Sequence, residues 1–145
     1  MIALGADHAG YEVKEKIKTM LKSLGLDVQD FGTSSTESTD YPDYAHKVAE
    51  AVSSGKVERG ILVCGTGIGM SIVANKHKGV RAAVVESVEA IKLARQHNDA
   101  NILALGARIT PWDKAQEIVK TFLSTAFEGG RHQRRVKKIH TLTNL

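Results

Sequence analysis

One cysteine, two prolines and one tryptophan are all that this chain of 145 residues holds of those types. A lone cysteine excludes an internal disulfide, so stability must come from a packed core, and the usage suits a reducing compartment. Aromatic residues make up 5% of the chain and are scattered. They do not interleave with basic residues as a nucleic-acid surface requires, and no nucleic-acid partner is expected. No apolar run approaches the ~18 residues of a membrane span, so no membrane partner is expected either. The stretch Met1 to His8 has no positive region leading into a long apolar run, which makes a cytoplasmic location the expectation. The six histidines, His8, His46, His77, His97, His132 and His140, stand at no metal-ligand spacing, and no cysteine pair supplements them. A metal site is not expected.

What is present is ordinary for a soluble globular protein: 42% hydrophobic and 25% charged residues. The length suits a single domain over residues 1–145 with one well-filled core. The net charge of +4 is local. Arg131, Arg134, Arg135, Lys137 and Lys138 cluster with no acid between them, and setting those five aside leaves 15 of the 20 basic residues against 16 acidic ones. That pattern fits a small anion site or a solvated basic helix better than a broad electrostatic footprint.

Strand and helix signals alternate. Ile2 to Ala6 is a short apolar run ending in the turn Asp7-His8-Ala9-Gly10; Val13, Ile17, Met20, Leu21 and Leu24 then recur at helical spacing, with Gly25 at the C-cap position. Residues 26–31 alternate as a strand, and 32–40 form a polar loop closed by Tyr41-Pro42. A helix around Ala45, Val48, Ala49 and Val52 leads to the buried strand 60–64. The loop Gly65-Thr66-Gly67-Ile68-Gly69 and a helix over 70–76 follow. Strand 81–85, helix 87–96, strand 102–106 and a helix carrying Ala115, Ile118, Val119 and Phe122 complete the series. Repeated units of this kind predict an α/β Rossmann-like three-layer sandwich, with a five-stranded parallel sheet and right-handed crossovers. The basic segment after Gly129-Gly130 is predicted as an extra C-terminal helix. Such sheets bind ligands beyond the carboxyl ends of their strands, where Asp7-His8, Cys64 to Gly69 and Arg108 fall.

Glycine at positions 65, 67 and 69 lets the chain turn sharply and aim amides at an anion, although such a turn can also be purely structural. The spacing is neither a dinucleotide fingerprint nor a nucleotide P-loop. Cys64 ends a buried strand just before this loop, where donor amides favour a thiolate; a buried cysteine can equally serve as a small hydrophobe. A thiolate beside amide donors and the Thr66 hydroxyl could take a proton from carbon next to a carbonyl, with the donors holding the resulting oxyanion. His97, at the end of the fourth helix, could face the cleft and pass protons near neutral pH, or could simply interact with the helix dipole beside an Asn98 C-cap. Arg131 and Arg135, four apart, share one helix face and could grip a phosphate, or belong to a solvated basic face.

Taken together, Gly5-Ala6-Asp7-His8-Ala9-Gly10, Phe31-Gly32-Thr33, Asp40-Tyr41-Pro42-Asp43-Tyr44, Cys64 to Ser71, Gln96-His97-Asn98-Asp99 and Gly129 to Arg135 resemble one family across essentially the whole chain. It is the family of ribose-5-phosphate isomerase B and galactose-6-phosphate isomerase subunits, and the chain resembles its ribose branch. The resemblance implies interconversion of D-ribose 5-phosphate and D-ribulose 5-phosphate through a cis-enediolate, in the non-oxidative pentose phosphate pathway, with no cofactor. It implies Cys64 as base, Thr66 as helper and His97 as the acid of ring opening. Asp7, His8, Gly65, Thr66, Gly67, Ile68, Gly69, Asn98, Arg108, Arg131 and Arg135 would bind substrate, the arginines mainly at the phosphate. In another branch a glutamate at the position of Met70 is the base; here methionine stands there and the cysteine is present. The resemblance further implies a homodimer or dimer of dimers with shared sites, His97, Asn98 and Arg108 reaching in from the neighbouring subunit.

Overall fold

A computed structural model describes all residues 1–145. Five strands, β1 (Ile2–Ala6), β2 (Val28–Asp30), β3 (Arg59–Cys64), β4 (Ala82–Val84) and β5 (Ile102–Gly106), form one sheet in the order β2-β1-β3-β5-β4. Every pairing is parallel. The helices are α1 (Tyr11–Ser23), α2 (Tyr41–Ser53), α3 (Ile68–Ala74), α4 (Val88–Asn98), α5 (Trp112–Ser124) and α6 (Arg131–Thr143).

Alternation along the strands assigns the two faces. Ile61 and Val63 of β3 join Ile17 and Leu21 of α1, Ile91 of α4 and Ile118 and Phe122 of α5 in one buried cluster. Leu62 and Cys64 point the other way, toward Val48 and Ala49 of α2 and Met70 and Ala74 of α3. The three-layer α/β sandwich predicted from the alternation is the observed fold. The central strands, covered on both sides, read as unbroken apolar runs for that reason. The edge strands are shorter than predicted: β2 spans three residues and leaves Leu26 37% exposed, and β4 likewise spans three. An edge strand has one pairing partner, so its apolar alternation outlasts its ladder.

Glycine is indispensable where the chain passes from strand to helix beside β3. A Cβ at Gly10 would lie 2.2 Å from the Val63 carbonyl oxygen, so only glycine lets the turn before α1 approach β3 this closely. Gly67 stands at φ 80° ahead of α3, and a Cβ there would meet the Leu105 carbonyl carbon at 2.9 Å. The helix after the loop begins at Ile68, earlier than the predicted residue 70, so Ile68 and Gly69 form its first turn. Helix α6 packs on α4 outside the sandwich. No helix is long and apolar enough to cross a membrane.

Candidate active site

The registers Ala6 with Val63 and Cys64 with Gly106 bring three strand ends to one edge of the sheet. Asp7 follows β1, and its amide donates to the Val63 carbonyl (3.3 Å). Its carboxylate is buried, with Oδ1 accepting the Ala9 and Gly10 amides at 2.9 and 3.1 Å. These bonds hold the turn that presents His8. Cys64 is 5% exposed; its side chain packs against the α2 and α3 layer, and its Sγ accepts the Gly67 amide at 3.1 Å. Thr66 stands in the open and its Oγ1 accepts the Ile68 amide at 3.2 Å, leaving the hydroxyl proton free to donate. Two amides of the glycine loop are thus engaged within the loop itself.

Arg108 belongs to this edge of its own chain. Its amide donates to the Gly65 carbonyl at 3.0 Å, and a Cβ on Gly65 would sit 3.2 Å from Arg108 Nη1. The guanidinium therefore lies over the loop that follows Cys64. The expectation that Arg108 reaches in from a neighbour is corrected accordingly: the turn after β5 is adjacent to the turn after β3 because those strands pair.

His97, Asn98, Arg131 and Arg135 gather elsewhere. Within one chain, His97 does not share the sheet edge of Cys64. A helix that follows a parallel strand runs back along it, so α4 ends at the amino edge. The length of β5 alone, about 13 Å over four steps, separates the two edges. At the amino edge His97 stacks on His132 with ring centroids 4.2 Å apart and planes 13° from parallel. Its Nε2 lies 3.4 Å from Glu128 Oε1. Burial, then the proximity of His97 and Arg131, hold the His132 imidazole below its ordinary pKa. Asn98, Arg131 and Arg135 are exposed around this stack. One chain therefore carries the predicted site residues as two groups on opposite edges of the sheet.

Sequence reasoning missed three participants. Thr39 locks His8: the His8 amide donates to Thr39 Oγ1 (3.2 Å) and the Thr39 amide donates to His8 Nδ1 (3.1 Å). Because Nδ1 accepts, the neutral ring carries its proton on Nε2. Tyr41 seats its ring on Gly69, where a Cβ would come within 2.7 Å of it. Its place in a Tyr-Pro pair signalled a turn and not a contact. Glu128, His97 and His132 bring one ligand atom each within 4.8 Å of the others, a proximity no sequence spacing announced.

A family model described as ribose/galactose isomerase matches residues 2–139. Ribose-5-phosphate isomerase B of Escherichia coli is 50% identical over 138 residues, which cover 95% of this chain and 93% of that one. The solved structure of Clostridium thermocellum ribose-5-phosphate isomerase B superimposes with a TM-score of 0.97 at 52% identity, covering 99% of this chain and 97% of that one. The Mycoplasma genitalium enzyme, solved with bound ribulose-5-phosphate, gives 0.95 at 43% identity, with 99% and 95% covered. A match this complete, in sequence and in fold, places the chain in the ribose/galactose isomerase family.

Proposed function

We propose that the chain is a cytoplasmic, cofactor-free aldose-ketose isomerase that interconverts D-ribose 5-phosphate and D-ribulose 5-phosphate. The observation that carries the reading is the Cys64 sulfur at the carboxyl edge, met by the Gly67 amide at 3.1 Å and flanked by the Asp7-His8 turn. The names of its relatives, and the ribulose-5-phosphate bound to the Mycoplasma genitalium protein, indicate the sugar.

In this reading the Cys64 thiolate removes the proton from C2 of the open-chain aldose. The electron pair moves into a C1–C2 double bond, and the carbonyl oxygen becomes an enediolate oxygen. Loop amides that remain free and the Thr66 hydroxyl stabilise that charge. The proton returns to C1, and transfer between the O1 and O2 oxygens completes the ketose. His97, with Asn98, Arg131 and Arg135, comes from a second copy of the chain. Its imidazole passes a proton during ring opening, and the arginines take the phosphate. A second copy also supplies cover for the exposed Ile68 (51%), Ile72 (57%) and Val84 (41%), which lie beside the loop. Anchoring the phosphate orients the distant carbons, an effect worth up to ~7–11 kcal/mol in favourable cases.

The test is the formation of ribulose 5-phosphate from ribose 5-phosphate by wild type and Cys64→Ala. Wild type turns over; the variant still binds substrate in calorimetry and does not turn over. Near-normal turnover by the variant would remove Cys64 as the base, and an inactive wild type would remove the substrate assignment.

A further inference from the structure

At the amino edge, below the starts of β3 and β5, a cavity of about 450 Å³ is lined by Arg59, Arg81, Arg95, Asp99, Glu58 and Asn101, among others. None of these takes part in the proposed isomerisation. Arg95 is 4% exposed. Its Nε–H donates to the Thr125 carbonyl at 3.0 Å, and Nη1 to Asp99 Oδ1 at 2.8 Å and the Ala100 carbonyl at 2.7 Å. Its Nη2 meets no protein acceptor. Arg81 has its donors engaged by the carbonyls of Gly79, Asn98 and Asp99, by Asp99 Oδ2 and by His140 Nε2. Arg59 donates once, from Nη1 to the Phe122 carbonyl, and rests its guanidinium on the Phe122 ring; its Nε and Nη2 are unpartnered.

Three guanidiniums thus open on one cavity, and Asp99 is the only carboxylate bonded to any of them. Glu58 is exposed and makes no ion pair. Burial, and then the charge of Arg95, lower the pKa of Arg59, and they outweigh the opposing charges of Asp99 and Glu58, as expected where three guanidiniums share a cavity with two carboxylates. Unused donors on two arginines, one of them almost wholly buried, with surplus positive charge, describe a cradle for an oxyanion.

We propose that this cavity binds inorganic phosphate or a phosphate monoester, held by the free Nη2 of Arg95 and by Nε and Nη2 of Arg59. The site is separate from the Arg131 and Arg135 pair, which lies on α6. Its occupancy bears on Asp99, the left-handed residue (φ 48°) that ends α4 directly after His97 and Asn98 and is bonded to both Arg95 and Arg81.

The experiment follows arginine Nε–H resonances during titration with inorganic phosphate at constant ionic strength. The Arg131→Gln/Arg135→Gln double variant serves beside wild type to remove the other candidate phosphate contacts. The expected result is a saturable shift of the Arg59 and Arg95 signals in both proteins, and calorimetric affinity in the double-variant background reduced about tenfold or more by adding Arg59→Gln. Arg59→Lys, which keeps the charge without the fork, should fall between. Ribose 5-phosphate titrated into the double variant separates the sources: a matching Arg59 shift admits the ester, and a shift with phosphate alone confines the site to the free anion. Arg59 and Arg95 signals that follow salt without saturating, or equal affinity with and without Arg59→Gln, would overturn the proposal. The resonance measurement needs no substitution at Arg59, and none of the readouts depends on isomerase turnover.

Discussion

Two inactive proteins, Cys64→Ala and His97→Ala, are expected to regain activity when mixed. The reason is the separation of the two residues within a chain by at least the length of β5, about 13 Å. No side chain spans that gap, so the proposed mechanism requires Cys64 of one copy to work with His97 of another. In a mixed dimer one of the two sites receives both intact residues and the other receives neither. Unbiased exchange makes half of the dimers mixed, each with one working site, so a one-to-one mixture should reach about one quarter of wild-type turnover. The assay is ribulose 5-phosphate formation after subunits are exchanged in mild denaturant and returned to buffer, with each parent carried through the same treatment. Activity no greater than the mean of the parents, with mixed dimers present by native mass spectrometry, would refute the reasoning from opposite edges.

Three further outcomes follow from the same structure. Asp30→Asn should destabilise the chain by about 3–5 kcal/mol in urea unfolding, because Lys14, with 1% of its side chain exposed, loses the carboxylate 2.6 Å away and keeps only Glu15 at 3.5 Å; a loss below the measurement error would show that Lys14 does not need its partner. Burial opposes ionisation of Asp30, but Lys14, Lys18 and the Gly32 amide outweigh it, and its pKa falls below 3.8. The pair's contribution is therefore complete above that pH and lost as pH falls through the lowered value, a dependence that Asp30→Asn should flatten. His132 runs the other way in charge: its folded-state pKa lies below the ordinary 6.5, so the unfolded chain binds more protons in the window beneath 6.5. Stability should drop as pH falls through that window, and His132→Asn should reduce the drop. An unchanged slope would mean that the protonation of His132 is not linked to folding.

The alternation of apolar runs with helical spacing contained the layer order, because each strand's neighbours in sequence are its covering helices in space. Cys64 was legible as a candidate for a related reason: a residue ending a central strand before a glycine loop must sit at the carboxyl edge. The edge strands were less legible, since Leu26 and Val85 extend an apolar alternation that the ladder does not use. Thr39 and Tyr41 escaped notice because their contacts with His8 and Gly69 join segments far apart in the chain.

The sequence by itself thus determined the fold class, the family resemblance and the inventory of reactive groups, all of which depend on local periodicity and composition. Only the tertiary structure decided how those groups divide. Return of α4 antiparallel to β4 and β5 carries His97 away from Cys64, and pairing of β3 with β5 lays Arg108 over the loop of its own chain. Packing of α6 on α4 stacks His97 on His132, and the amino edge of the sheet opens one cavity to Arg59, Arg81 and Arg95. These are distances between residues remote in sequence, and they exist only once the sheet's order and register are set.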